Sequence, residues 1–354
     1  MIKSKMLVIS NMYPSGKDDY FGVFVKRINE NLKQDFRVHE ILIKGRTSIF
    51  FNKILKYFCF YYKILFNLCF VKFDAIYIHY PPFSLPPYIF SFFLKNKNLI
   101  LNFHGSDIIL KNKPSSFFIK YFYLIKPYVK LIVVPSSYLQ KELEKKIYFK
   151  NIFISPSGGI PDFFYNNTIL KNKVKNKNTR FLYVSTISEE KGIFSLIKSI
   201  KQLSLNKNLE VDLTIFGAGE VEILEKKIIG LKNTKFMGLA DNNLLPNIFI
   251  NFDVLIFPTK KESLGLIGVE SLACGLPVIA SDIPPIKSYI KDSYNGLLFE
   301  SENTFELMNK IEYLINNPVI LNILKLNSRK SVLKFKQSTV KLSLNKKINE
   351  FISY

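Results

Sequence analysis

The chain is 354 residues long and 48% apolar, too long for one ordinary core and apolar enough to fill two, so two domains of about 150 to 200 residues are expected. Its formal net charge of +22 is lopsided: residues 1–180 hold 29 of the 50 Lys+Arg and 10 of the 28 Asp+Glu. That excess points to an anionic partner (nucleic acid, an acidic membrane surface or a phosphorylated substrate), with compositional drift toward Lys, Asn, Ile, Phe and Tyr as the competing source of the lysines. Cys59, Cys69 and Cys274 lack metal or redox spacing, which excludes a disulfide framework or zinc site and predicts a reducing compartment.

Met1 leads within a few residues into a strand-like run at 6–10, without the apolar stretch and small-residue cleavage site of a secretory leader. The expected location is therefore cytoplasmic. The loop YPSG at 13–16 and the segment FGVFVKR at 21–27 follow, the latter opening a helix with Phe24, Ile28 and Leu32 on one face. A strand is expected at 38–43. Residues 48–72 are dominated by Phe, Tyr, Ile and Leu, with Lys53, Lys56, Lys63 and Asn67 within about a quarter of the circumference at the helical period. Such a helix fits either the interface of an anionic bilayer or a place against the first domain's sheet.

Residues 75–94 contain no Lys, Arg, Asp or Glu and reach the length of a membrane span. Pro81, Pro82, Pro86 and Pro87 would strip a spanning helix of hydrogen bonds, so the reading is a strand at 75–78, a turn and a short helix. Further strands are expected at 99–103 and 131–134, then at 181–185, 211–216, 254–257 and 277–280. Strands alternating with helical periods describe parallel sheets covered on both faces, here two doubly wound units. Between them, the polar run at 170–180 has too little apolar surface to pack and reads as a linker. At the C-terminus, Val340, Leu342, Leu344, Ile348, Phe351 and Ile352 share a face, predicting a terminal helix that docks on a larger body. The expected organisation is 1–170, 171–337 and a terminal helix at 338–354.

The segment richest in chemistry is FPTKKESLGLIGVESLACGLPVIA at 257–280. A buried strand ends at Pro258, a polar loop follows, and a helix opens near Gly265. In an open α/β sheet the carboxyl ends of strands face the ligand crevice. A glycine at a helix start lets backbone N–H groups approach a phosphate that the helix terminus stabilises. Glu262 then sits in the crevice loop and Glu270 just over one turn into the helix, where carboxylates accept strong hydrogen bonds from sugar hydroxyls.

E-x7-E in this setting, followed by A-x-G-x-P-V, resembles the retaining GT-B glycosyltransferases of family 4. The resemblance extends to YVSTISEEKG at 183–192, LTIFGAG at 213–219, FMG at 236–238 and NGLLF at 295–299, in family order over about residues 181–300. It implies two Rossmann-like domains facing a central cleft, with the terminal helix packing back toward the first. The first domain would take a saccharide or lipid-linked acceptor and the second a nucleoside diphosphate sugar, with no cofactor or metal and in the setting of surface polysaccharide or lipopolysaccharide assembly. By the same resemblance Lys191 neutralises the donor diphosphate, Glu262 binds the transferred sugar and Glu270 the ribose. The backbone at Ser263, Leu264 and Gly265 holds sugar and phosphate, and Gly217 and Gly238 lie near the base.

In the first half the family has a comparable loop and helix start, which makes Gly22 a candidate for close approach to the donor phosphates. LILNFHGSD at 99–107 resembles the family's strand followed by H-G-x-D, which puts His104 on the donor sugar and gives Asp107 a bracing role. Two departures stand out. Thr186 occupies a donor-binding position where the family often has Arg, and SDIPPIK at 281–287 replaces a glycine-rich turn and Glu. Taken singly, Lys191 also reads as a solvated charge, Gly217 and Gly219 as a turn, and His104 as a core residue. The other functions open to this sequence are a nucleotide-sugar epimerase of the same architecture and a basic nucleic-acid-binding protein, the latter without a recognisable module.

Overall fold

The computed structural model describes residues 3–16, 21–46, 50–86, 90–94, 97–109, 113–166 and 178–352. The chain divides into two compact units, Met1–Gly159 together with Gln337–Tyr354, and Ile160–Lys336. The boundary thus falls at 159/160, and most of the polar run at 170–180 lies outside the described residues.

The first unit is built on six parallel strands: β1 (Lys5–Tyr13), β2 (Arg37–Lys44), β3 (Ala75–His79), β4 (Leu99–Asn102), β5 (Val129–Val134) and β6 (Ile152–Ile154), in the order β2-β1-β3-β4-β5-β6. Alternation along β1 sends Leu7 and Ile9 to one face and Met6 and Val8 to the other, and all four are fully buried. A strand covered on both faces must be apolar at every position, which is why the run at 6–9 is continuous rather than alternating.

The Leu7 face is covered in part by the helix Phe50–Phe70, which lays Phe60, Ile64 and Leu68 against it. The Met6 face receives Ile28 and Leu32 of the helix Val23–Asp35 and Leu344 and Ile348 of the terminal helix Gln337–Ile352. Polar staples fix the terminal helix there: Gln337 donates to Asn31 Oδ1 at 2.8 Å, and Asn345 Nδ2 to the Asn31 carbonyl at 3.3 Å. Of the predicted apolar face, Leu342 is instead 66% exposed, because it falls outside the stripe that Val340, Leu344 and Ile348 trace at four-residue steps.

The second unit is a sheet of β7 (Arg180–Val184), β8 (Asp212–Phe216), β9 (Thr234–Phe236), β10 (Val254–Phe257), β11 (Val278–Ser281) and β12 (Gly296–Phe299), ordered β12-β11-β10-β7-β8-β9. Counted within the unit this is the Rossmann order. It reverses between β7 and β10, which pair directly through Phe181 with Val254 and Leu182 with Leu255. Its two apolar layers are again the two faces, with Phe181 and Ile256 in one and Leu182 and Leu255 in the other. Each sheet therefore presents its strand ends, and the loops after them, as the available place for a ligand.

Candidate functional site

In the second unit the chain leaves β7 through residues 185–188 and makes a single 3-10 turn, Glu189–Lys191, before the helix Ile193–Lys207. On the other side of the sheet's reversal, β10 ends at Phe257 and its loop runs to the helix Leu266–Ala273. The two loops are tied together. Lys260 N donates to the Glu190 carbonyl at 2.9 Å, and Lys260 Nζ pairs with Glu189 at 2.7 Å and Glu302 at 2.5 Å. Gly192 allows the closeness: its φ is +73°, and a Cβ there would lie 1.9 Å from the Pro258 carbonyl oxygen. No other residue combines that conformation with that approach.

The outcome is that Lys191 Nζ and Glu262 Oε1 meet at 2.6 Å across the reversal point, with side chains 23% and 16% exposed. Lys191 also reaches the Lys261 carbonyl at 3.5 Å. Two groups 71 residues apart in sequence thus form one partly buried pair at the strand ends. Just beyond, Gly265 is the N-cap of the helix Leu266–Ala273, with φ +84° and ψ +62°. A side chain there would press on Phe257 and Tyr289 at 2.9 Å, and Tyr289 donates its hydroxyl to the Gly265 carbonyl at 3.2 Å. The start of a helix leaves N–H groups without intrahelical partners and carries partial positive charge, which favours negative charge near it. A cation, a carboxylate and a helix N-terminus are what is needed to hold a phosphate together with a hydroxyl-rich group.

The other residues singled out in this half take varied positions. Ser263 is half-buried and Leu264 buried, both in the loop between the pair and Gly265. Gly217 and Gly238 come together, Gly217 N donating to the Gly238 carbonyl at 2.8 Å beyond β8 and β9. Thr186 is exposed, its carbonyl accepting from the Tyr183 hydroxyl at 2.9 Å. Glu270 lies one turn into the helix with 5% of its surface exposed, and burial first, then the nearby Glu270 charge, pushes the Cys274 thiol up to about 12.

In the first unit Gly22 is the N-cap of the helix Val23–Asp35 at φ +80°, packed against Met12. His104 follows β4 and is 6% exposed. Its ring stacks on Tyr80 with centroids 4.9 Å apart and tilts against Phe24 at 4.7 Å. Asp107 braces the loop by accepting from the backbone N–H of His104 at 3.0 Å and of Gly105 at 2.8 Å. Burial pushes the Asp107 carboxyl up to about 7, against the lowering effect of those hydrogen bonds.

Sequence reasoning missed His79, the last residue of β3, whose Nδ1 lies 2.9 Å from His104 Nε2. Burial lowers His79 to about 3, and burial first, then His79, holds His104 well below the usual imidazole range. The available signal was its place at the carboxyl end of a fully apolar strand. Missed as well was Tyr80, held at φ +50°, a conformation a bulky side chain adopts only when its surroundings enforce it.

This fold and strand-end site define an α/β transferase of the GT-B type. Crystalline HepE from Anabaena, determined in complex with UDP-glucose, superposes over 98% of this chain and 100% of its own with a TM-score of 0.72 at 16% identity. The family model for glycosyl transferases group 1 matches residues 166–331, the span that carries Lys191, Glu262 and Gly265. An uncharacterized glycosyltransferase of Methanocaldococcus jannaschii is 30% identical over 267 residues, 74% of this chain and 71% of that protein. The capsular polysaccharide biosynthesis glycosyltransferase CapM of Staphylococcus aureus is 29% identical over 185 residues, and the match spans 48% of CapM. The chain belongs to the glycosyl transferases group 1 and is a glycosyltransferase.

Proposed function

We propose that the protein is a retaining glycosyltransferase of family 4 that moves a sugar from a nucleoside diphosphate sugar to an acceptor hydroxyl, in the assembly of a cell-surface polysaccharide or lipopolysaccharide. The observation that carries this is the Lys191–Glu262 pair at 2.6 Å beside the Gly265 helix start, at the reversal of the second sheet. On this reading the donor enters by separating the pair. Lys191 turns to the diphosphate, the helix N-terminus shares its charge, and Glu262 takes hydroxyls of the transferred sugar. Both cationic elements stabilise the negative charge that develops on the leaving diphosphate, the task for which other transferases recruit a divalent metal.

The leaving phosphate oxygen is itself the base that takes the acceptor proton on the face where the new bond forms, which gives retention without a covalent enzyme intermediate. By the family resemblance Glu270 takes the ribose, and His104 and Gly22 are the first unit's candidates for a sugar hydroxyl and for the phosphates. The surface-polysaccharide setting is supported by the likeness to CapM, and a nucleotide-sugar donor by the shared fold with HepE.

A thermal-shift panel of UDP-, GDP- and ADP-sugars tests the donor class, since a matched donor stabilises the folded state by mass action. With the matched donor, Glu262→Ala is expected to abolish transfer while folding is retained. A product of inverted anomeric configuration would overturn the retaining reading. Release of free nucleotide and an altered sugar without acceptor would favour the epimerase instead.

The first unit adds a second element, a docking face for an anionic membrane that presents a lipid-linked acceptor. Opposite the buried Phe60, Ile64 and Leu68, the helix Phe50–Phe70 turns outward Phe51, Phe58 and Tyr62, which are 71%, 69% and 62% exposed, with Leu55 and Phe66 beside them. None of the described helices is long and apolar enough to cross a membrane, so this face would lie in the interface plane. Lys53 at its flank lines a groove of about 430 Å³ with Tyr57, Tyr61, Pro114 and Phe117, and the basic excess of residues 1–180 complements anionic headgroups. Flotation with phosphatidylglycerol vesicles is expected to recover the protein at low salt, and the Phe51→Ser, Phe58→Ser double variant to stay behind. Equal recovery with neutral vesicles would remove the electrostatic part, and no recovery with either would end the docking reading.

A further inference from the structure

The two histidines at the strand ends of the first unit form part of one hydrogen-bonded series whose proton positions follow from its far end. Glu40 on β2 accepts Lys33 Nζ at 2.7 Å and Asn29 Nδ2 at 3.0 Å. A carboxylate in an ion pair only accepts, so the group of Asn29 facing it must be the NH2. That turns Asn29 Oδ1 to His79 Nε2, 3.1 Å away, and a carbonyl oxygen requires that nitrogen to carry the hydrogen.

Asn29 and His79 are both fully buried, and an imidazolium there would need a compensating charge. Around the two imidazoles stand Tyr77, Tyr80, Phe24 and the backbone-bonded Asp107, none of them in an ion pair with either ring. A neutral His79 protonated on Nε2 has a bare Nδ1. The 2.9 Å contact from that Nδ1 to His104 Nε2 then obliges His104 to donate, which leaves the lone pair on His104 Nδ1. Among the described residues no group hydrogen-bonds that atom.

We infer that His79, oriented by Asn29, is a positioning residue that locks His104 as the neutral Nε2–H tautomer. His104 thereby offers its Nδ1 as a hydrogen-bond acceptor to a ligand hydroxyl and is no partner for a phosphate. Its service to the transferred sugar rests on the function proposed above, whereas the proton arrangement belongs to the free protein. The rings are nearly parallel at 16°, and His79 and Asn102 lie side by side in the β3–β4 register, so the sheet itself sets the geometry of the relay. A histidine freed from it would divide between two tautomers, one of which turns an N–H toward the hydroxyl and must rely on the hydroxyl oxygen instead.

The chain has three histidines, so full-length protein carrying 15N-histidine gives six ring-nitrogen signals, assignable with a His39→Gln variant and followed by long-range proton–nitrogen correlation. In the free wild type between pH 6 and 8, both His79 and His104 are expected to be protonated on Nε2 and bare on Nδ1. A proton on Nδ1 of either, or an imidazolium at His104, overturns the inference whatever any variant does. Next, His79→Leu should replace the His104 pattern with exchange-averaged shifts. His79→Gln, which keeps an acceptor toward His104 and a donor toward Asn29, should preserve it.

In transfer assays with the matched donor, His79→Leu is expected to lose on the order of tenfold in kcat/KM, as befits one misplaced hydrogen bond, and His79→Gln to recover most of it. An unchanged His104 pattern in His79→Leu would show that His79 does not set the tautomer. A wild-type pattern as stated in a protein that binds no nucleotide sugar would sink the proposed function and leave the relay intact.

Discussion

Because Lys191 and Glu262 neutralise each other in the free protein, removing the carboxylate should have opposite effects on two ligands. At 2.6 Å and an effective dielectric of about 20, the gross attraction is about 6 kcal/mol. Most of this is offset by the desolvation of two groups that keep 23% and 16% of their side-chain surface in water. A net value on the order of 1 kcal/mol remains, which a diphosphate must overcome to take Lys191. In Glu262→Gln that cost is absent and Lys191 is free, so a nucleoside diphosphate should bind about fivefold more tightly than to the wild type, 1.4 kcal/mol being a factor of ten. The nucleotide sugar should gain nothing, since it loses a charge-assisted contact to its hydroxyls, and transfer should fall by orders of magnitude. Lys191→Met should weaken both ligands. Titration calorimetry with UDP, GDP or ADP, chosen by the donor that stabilises the wild type, reads these changes, with urea midpoints as a control for folding. If Glu262→Gln weakened the nucleoside diphosphate in parallel with Lys191→Met, the pair would not lie on the diphosphate's path and the reasoning would fail.

Gly192→Ala should destabilise the second unit by several kcal/mol, combining a left-handed backbone with a Cβ 1.9 Å from the Pro258 carbonyl oxygen; an urea midpoint within error of wild type would contradict the close approach. Leu344→Ala, fully buried on the first unit, should cost about 2 to 4 kcal/mol, and Leu342→Ala, 66% exposed, less than about 0.5. Similar costs at the two positions would mean that the terminal helix packs by another face. Acid should weaken the first unit. Below pH 6.5 the unfolded chain protonates His79 and His104, while the folded unit holds His79 down to about 3 and His104 likewise well below its ordinary value. Each contributes a loss of about 1.4 kcal/mol per pH unit as pH falls from 6.5. Asp107, raised to about 7, acts the other way, adding stability as pH falls from 7 toward 3.8. The net expectation between pH 6 and 5 is a loss of about 1.4 kcal/mol, largely abolished in His79→Gln, and stability that is flat or rises over that interval in the wild type would contradict it.

Nine strands were legible in the sequence because each contains a short run rich in β-branched and apolar residues with positions buried in the core. The three that were not, β6, β9 and β12, are edge strands of three or four residues. A short strand paired on one side needs less apolar surface, and NGLLF reads as a turn until β11 is seen beside it. The helix Phe50–Phe70 was correctly ambiguous, since its sequence is greasy on nearly every side and only packing decides which residues reach the sheet.

The sequence by itself determined the order of the motifs and the loop and helix start that carry Glu262 and Gly265, because these depend on spacing along a chain whose strand ends are predictable; Lys191 joined them only through the family resemblance. Their pairing, the burial of Glu270 and the relay from Glu40 through Asn29 and His79 to His104 were decided by tertiary structure alone. A hydrogen bond joins groups 25 or 71 residues apart only after two strands have been laid side by side. Nothing in either local segment records which neighbour it will have.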